Sequence, residues 1–84
     1  MTLQSFTGSI NTQGEFASVE TLTKLTFTQG TTYTMQILNG AYIKIADAVF
    51  YINNGEKFEF TAGTETLYIK NNYTPITLTI LEKE

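Results

Sequence analysis

From about Thr23 onward, apolar and polar residues alternate with a period of two, the pattern of strands that bury one face. Leu25 and Phe27 face one way, Lys24, Thr26 and Thr28 the other. Tyr33, Met35 and Ile37 alternate with Thr34 and Gln36, and Ile43 and Ile45 with Tyr42 and Lys44. Leu67 and Ile69 alternate with Thr66, Tyr68 and Lys70. In the last strand Ile76, Leu78 and Ile80 point inward and Thr77 and Thr79 outward. Threonine, with 16 copies, is β-branched and suits the exposed side of a sheet. With 84 residues, 42% of them hydrophobic, the chain suffices for one domain spanning 1–84 with a modest core.

Turn signals punctuate the strands at Gln29-Gly30, Asn39-Gly40, Asn53-Asn54-Gly55, Ala62-Gly63 and Asn71-Asn72. Asn39-Gly40 suits the positive φ angles of a tight hairpin. Ala48-Val49-Phe50-Tyr51-Ile52 is apolar on both faces, so it reads as a strand covered twice or one whose outer face meets another protein. A two-residue loop at Asn54-Gly55 would pair Tyr51 with Phe58. A three-residue loop, Asn53-Asn54-Gly55, pairs Phe50 with Phe58 and Ala48 with Phe60. Only the second gathers Phe50, Ile52, Phe58 and Phe60 on one face, and register normally follows the buried pattern. Pro75 stands at a strand start, where a missing N–H is tolerated. The expected fold is therefore all-β, a compact antiparallel β-sandwich or small barrel of about seven short strands.

The first 22 residues are less regular. Gln4, Phe6, Gly8 and Ile10 are spaced to share a strand face, and Phe16, Val19 and Leu22 fit a short helical turn. Residues 1–22 are also candidates for an N-terminal arm involved in assembly. An internal echo links FTQGTTYTMQILN (27–39) to FTAGTETLYIKN (60–71). It reads either as two hairpins obeying the same turn chemistry or as pseudo-symmetric halves of a sandwich.

The chain has no histidine, cysteine, arginine or tryptophan. The commonest general base, the thiol nucleophile, the guanidinium clamp and the usual transition-metal ligands are thereby missing. Glu56 and Glu59 fall on opposite faces of a regular strand, and Lys57 beside Glu59 reads as a solvated pair. Asp47, Asn53, Asn54 and Glu56 carry oxygen ligands, but 53–56 is better explained as a turn. No enzymatic activity, cofactor or metal is expected. Net charge −3 and five scattered lysines argue against nucleic acid. Met1-Thr2-Leu3-Gln4-Ser5 does not resemble a secretory signal, and no apolar run approaches the ~20 residues of a membrane span, so a soluble chain with no membrane partner is expected.

With Ile43, Phe50 and Ile69 facing the core, Tyr42, Tyr51 and Tyr68 face outward, with Val49, Leu38 and Leu81 also on outer positions. Tyrosine offers a large contact area and keeps a hydroxyl for hydrogen bonding. Tyr42, Val49, Tyr51 and Tyr68 are the candidate interface. Charged residues make up only 15% of the chain, which leaves few repulsive groups to protect sheet edges; covering by other subunits, as in a homo-oligomer, would meet that need.

The stretch ADAVFYINNGEKFEFTAGTETLYIKNNYTPITLTILE, from Ala46 to Glu82, resembles the small all-β accessory proteins of tailed-phage virions. It shares a short apolar strand, an Asn-Gly turn, Phe-x-Phe, Leu-Tyr-Ile-Lys-Asn and a closing Thr-x-Leu-Thr-Ile strand. The resemblance implies a non-catalytic, self-associating head-decoration, neck or tail component that binds capsid or tail proteins and is assembled in the host cytoplasm. The alternative is a carbohydrate-binding or adhesin-like module that contacts glycans through its tyrosines.

Overall fold

The computed structural model describes residues 3–72 and 74–83. Among these residues the chain forms eight strands and one short helix. They are β1 (Ser5–Ile10), β2 (Ala17–Ser18), α1 (Val19–Thr23), β3 (Thr32–Leu38), β4 (Ala41–Ile45), β5 (Ala48–Ile52), β6 (Lys57–Thr61), β7 (Leu67–Lys70) and β8 (Ile76–Glu82). Two antiparallel four-stranded sheets result, ordered β1-β8-β3-β6 and β2-β7-β4-β5. The fold is all-β, a sandwich of two sheets. Among the described residues no helix is long and apolar enough to cross a membrane.

The pairing is nested. β4 pairs with β5, β3 with β6, β2 with β7 and β1 with β8. The chain is thus one long hairpin, its tip at Ala46-Asp47, whose two arms run side by side as they pass from sheet to sheet. Paired residue numbers add to 93 throughout β4·β5 and β3·β6, and to 86 throughout β2·β7 and β1·β8. Register passes unbroken through two of the three double corners. It shifts by seven at the third, because the first arm takes 14 steps from Ser18 to Thr32 and the second takes seven from Thr61 to Tyr68. α1 occupies that excess. The pairs β3·β8 and β4·β7 join successive turns of the ribbon.

Each corner of one arm lies against a corner of the other. The Asn39 N–H donates to Asn54 Oδ1 at 2.8 Å and the Gly55 N–H to the Ile37 carbonyl at 2.7 Å. The Gly30 N–H donates to the Ala62 carbonyl at 2.8 Å, and the Ala62 N–H to the Thr31 carbonyl at 3.0 Å. At the remaining corner, the Asn71 side chain is fully buried. Its Oδ1 accepts from the Thr12 N–H, while its Nδ2 donates to Asn11 Oδ1 and to the carbonyls of Asn72 and Thr74. Asn39 Nδ2 reaches the Pro75 carbonyl at 3.1 Å, tying two corners together at one end of the sandwich.

Several expectations need correction. Asn39-Gly40 and Asn53-Asn54-Gly55 do not close hairpins, because β3 and β4, like β5 and β6, lie in different sheets. Phe50 therefore pairs with Ile43, not Phe58, and Phe58 pairs with Met35. Phe60 is buried and Phe58 packs against the core, but Phe50 is 54% exposed. Residues 24–28 form no strand; they carry the first arm between sheets, with Leu25 and Phe27 still packed on the core. The echo at 27–39 and 60–71 is neither two hairpins nor two half-sandwiches. Its Phe-Thr-x-Gly-Thr segments are the two arms of one corner, hydrogen-bonded to each other. Glu59 pairs with Lys83 at 2.8 Å. Residues 1–22 supply β1, β2 and most of α1; Met1 and Thr2 of the expected arm lie outside the described residues.

The core lies between the sheets and follows the period-two pattern. Tyr33, Met35 and Ile37 from β3 meet Ile43, Leu67 and Ile69 from the opposite sheet, with Ile76, Leu78 and Ile80 beside them. The Tyr33 hydroxyl, inside this core, accepts the Thr28 N–H at 2.8 Å, so its burial leaves no polar atom stranded. Phe27 stacks obliquely on Tyr33 and Phe60, with ring centroids 4.6 and 5.8 Å away.

Two stability predictions follow from these contacts. Asn71→Ala removes the buried amide that bonds main-chain groups at residues 12, 72 and 74, and urea melts should show a loss of about 1–3 kcal/mol. Phe60→Ala should cost about 3–5 kcal/mol as a buried aromatic truncation, whereas Phe50→Ala should stay within about 1 kcal/mol of the native chain.

Candidate functional site

The outer face of the β2-β7-β4-β5 sheet brings together Tyr42, Tyr51 and Tyr68. In the ladders Tyr42 stands opposite both Tyr51 and Lys70, and Lys44 opposite both Val49 and Tyr68. Because side chains alternate across a strand, all six residues project from the same side while Ile43 and Ile69 point to the core. The four candidate interface residues Tyr42, Val49, Tyr51 and Tyr68 therefore share one surface. Val49 is 52% and Tyr51 49% exposed.

Rings and cations interlock on this surface. Tyr42 and Tyr51 meet edge to face, centroids 5.0 Å apart, the arrangement favoured by the ring quadrupole. Lys70 Nζ lies 4.9 Å from the Tyr42 centroid and 5.1 Å from that of Phe16, and Lys44 Nζ lies 5.7 Å from Phe16. These are cation–π distances. Gly40, at φ 76°, lies directly beneath the Tyr51 hydroxyl, and a Cβ there would collide with it. Glycine at this corner thus serves both the backbone turn and the seat of the tyrosine.

Phe16 is the member that periodicity missed. It immediately precedes β2, and its spacing from Val19 and Leu22 suggested one helical turn with them. Val19 and Leu22 do belong to α1, which starts with Ser18 Oγ accepting the Thr21 N–H at 3.4 Å. Phe16 instead continues the two-residue alternation of β2 outward. Only the Phe-Ala-Ser order could have shown this, and a two-residue strand is too short to establish a period.

Beside Phe16, a depression of about 300 Å³ is lined by Lys44, Ala46, Thr64, Glu65, Thr66 and Tyr68. It presents two aromatic rings, three hydroxyls, an amine and a carboxylate. Leu38 and Leu81, expected among the outer positions, are exposed on the outer face of the other sheet, away from the tyrosines. There Leu81 borders a shallow groove of about 260 Å³ with Thr34, Gln36, Lys57 and Thr79.

The oxygen-bearing residues near the turn at 53–56 serve the backbone. Glu56 Oε1 accepts the Asn53 N–H at 2.6 Å, and Asn54 bonds Asn39. Asp47 lies at the far end of β5, in the hairpin tip. Among the described residues no three acidic, histidine or cysteine side chains converge on a point.

No family model matches the chain, and no curated protein matches it. Among solved structures it is similar to a solution NMR structure of a de novo designed double-stranded beta-helix. Identity is 21%, the alignment covers 95% of this chain and 99% of that one, and the TM-score is 0.71. The likeness shows the fold alone: the wound antiparallel ribbon is a double-stranded β-helix.

Proposed function

We propose that this protein is a non-enzymatic structural module that docks the outer face of its β2-β7-β4-β5 sheet on a larger assembly and self-associates. Within that reading it serves as a capsid-decoration, neck or tail component of a tailed-phage virion, assembled in the host cytoplasm. The observation that carries the docking role is the shared surface of Phe16, Tyr42, Val49, Tyr51 and Tyr68, with Lys44 and Lys70 lying over its rings. Tyrosine is among the residues that dominate protein–protein hot spots. The virion assignment rests on the sequence resemblance of residues 46–82. A second reading, a glycan-binding module, is favoured by the depression between Phe16 and Tyr68, where rings and hydroxyls are adjacent.

Co-sedimentation with purified heads and tails of tailed phages tests the first reading. The native protein should pellet with one of them, and Tyr42→Ser or Tyr68→Ser should weaken retention by about tenfold or more, as loss of a hot-spot ring does. Failure to bind any particle, together with specific signals on a glycan array, would favour the second reading. Lys44→Met and Lys70→Met should leave urea stability within about 1 kcal/mol of native while weakening docking.

A further inference from the structure

We infer that β5 is a self-association edge, on which β5 of a second copy adds as an antiparallel strand about a two-fold axis at Phe50. This rests on the self-association in the proposed function, but not on the virion assignment or on the docking face.

Edge strands expose unpaired main-chain groups, and proteins guard them with charge, proline, brevity or a cover. Among the described residues the two sheets end on β1, β6, β2 and β5. β6 carries Lys57 and Glu59 and β2 is two residues long, while β1, which like β5 lacks charge and proline, puts Ser5, Thr7 and Ser9 outward and so presents no apolar outer row. β5 has none of these guards. Its Ala-Val-Phe-Tyr-Ile sequence is free of charge and proline, and every residue but Ile52 is exposed. Phe50 is the most exposed large apolar side chain described, at 54%, although it shares the inner face with buried Ile43.

Hydrogen-bond alternation shows which groups are free. A two-residue tip makes Ile45 and Ala48 a bonded pair, so Ala48, Phe50 and Ile52 bond to β4. Val49 and Tyr51 then turn their N–H and C=O groups to the open side. Pairing about Phe50 lets the Val49 and Tyr51 groups of each copy bond those of Tyr51 and Val49 in the other. The side chains fit the same register. Val49 faces Tyr51 of the second copy and Ala48 faces Ile52, a β-branched residue against an aromatic and a small residue against a large one. Phe50 meets its own counterpart.

The alternative self-contact, outer face against outer face, brings Lys44 and Lys70 of both copies into one desolvated layer, which is costly without carboxylate partners. Edge pairing leaves those lysines at the solvent side and joins two four-stranded sheets into one, with the aromatic surfaces continuous across the axis. A five-residue edge buries less than the ~800 Å² per partner of a standard interface, so the association should depend on concentration.

The full chain tests this by sedimentation equilibrium up to about millimolar concentration and by cysteine cross-linking, which is clean because the chain has no cysteine. The native mass should rise toward the dimer. Val49→Pro, which removes an outward donor, and Phe50→Lys, which opposes two like charges, should hold the chain monomeric with unchanged circular dichroism. Phe50→Cys should oxidise to a dimer at least tenfold faster than Val49→Cys. In this register the cysteines at 50 lie about 4.5 Å apart at Cα, within disulfide reach, while those at 49 lie diagonally, about 7–8 Å apart. A native chain that stays monomeric, a dimer unaffected by Val49→Pro and Phe50→Lys, or equal oxidation rates at 49 and 50 would each overturn the inference. A strict monomer that still pellets with phage particles would refute the edge and spare the docking face.

Discussion

Everything else in this molecule depends on the two arms staying in register as they wind. β1·β8, β2·β7, β3·β6 and β4·β5 are successive stretches of one antiparallel ladder, and a slip of one residue would turn every inward side chain to solvent. The corners are where such a ladder is most exposed to slippage, since the sheet hydrogen bonds lapse there. The chain answers with direct bonds between the arms: Gly30 to Ala62, Gly55 to Ile37, and the buried Asn71 to residues 11 and 12. A single asparagine suits that last position because its amide both accepts from and donates to the first arm, at Thr12 and Asn11, and still donates to carbonyls of its own arm. The seven-residue excess on the first arm is tolerated because α1 takes it up as a closed turn, with Val19 buried and Lys24 left-handed at its end.

The faces of the strands were legible in the sequence; the connections were not. Alternation from Tyr33 to Ile37 and from Ile76 to Ile80 placed those side chains correctly inward. Asn39-Gly40 and Gly55 do adopt positive φ, at 82°, 76° and 83°, as their residue types suggest. Yet a positive φ bends the chain without saying whether the next strand pairs with the last or crosses to the facing sheet. Among the described residues the one tight hairpin, at Ala46-Asp47, lacks the usual signal, since Ala46 adopts φ 53° despite its Cβ. The reading of 48–60 as a hairpin therefore demanded a register that put four apolar side chains together, when the true solution separates β5 and β6 between sheets. The echo misled in the same way, because similar turn chemistry in two places reflects two arms bending at one corner.

The candidate site was legible for the same reason as the faces. Tyr42 and Tyr68 alternate with Ile43 and Ile69, so a period of two assigns them outward without knowledge of topology, whereas Val49 and Tyr51 lie in a strand apolar on both faces and were placed outward only by taking Phe50 inward. Their convergence on one surface needed the pairing of β5, β4 and β7, which no local signal encodes. Phe16 needed still more, since β2 is held by only two paired positions.

The two outer faces of the sandwich differ in how they meet water. On β1-β8-β3-β6 the outward side chains are mostly hydroxyls, with Thr7 opposite Thr79, Ser9 opposite Thr77 and Thr32 bonded to Thr61 at 2.8 Å. Its Lys83 is neutralised by Glu59 on the surface. On β2-β7-β4-β5, Lys44 and Lys70 rest against rings instead of carboxylates. A ring attracts a cation without cancelling its charge, so this face stays both apolar and positive on a chain whose net charge is −3. A hydroxyl-covered sheet satisfies its hydrogen bonds with water and has little to gain from a partner. A sheet whose cations lie on aromatic rings gains from a partner that supplies both apolar area and negative charge. That asymmetry is what supports the docking role proposed for the β2-β7-β4-β5 face over the opposite one.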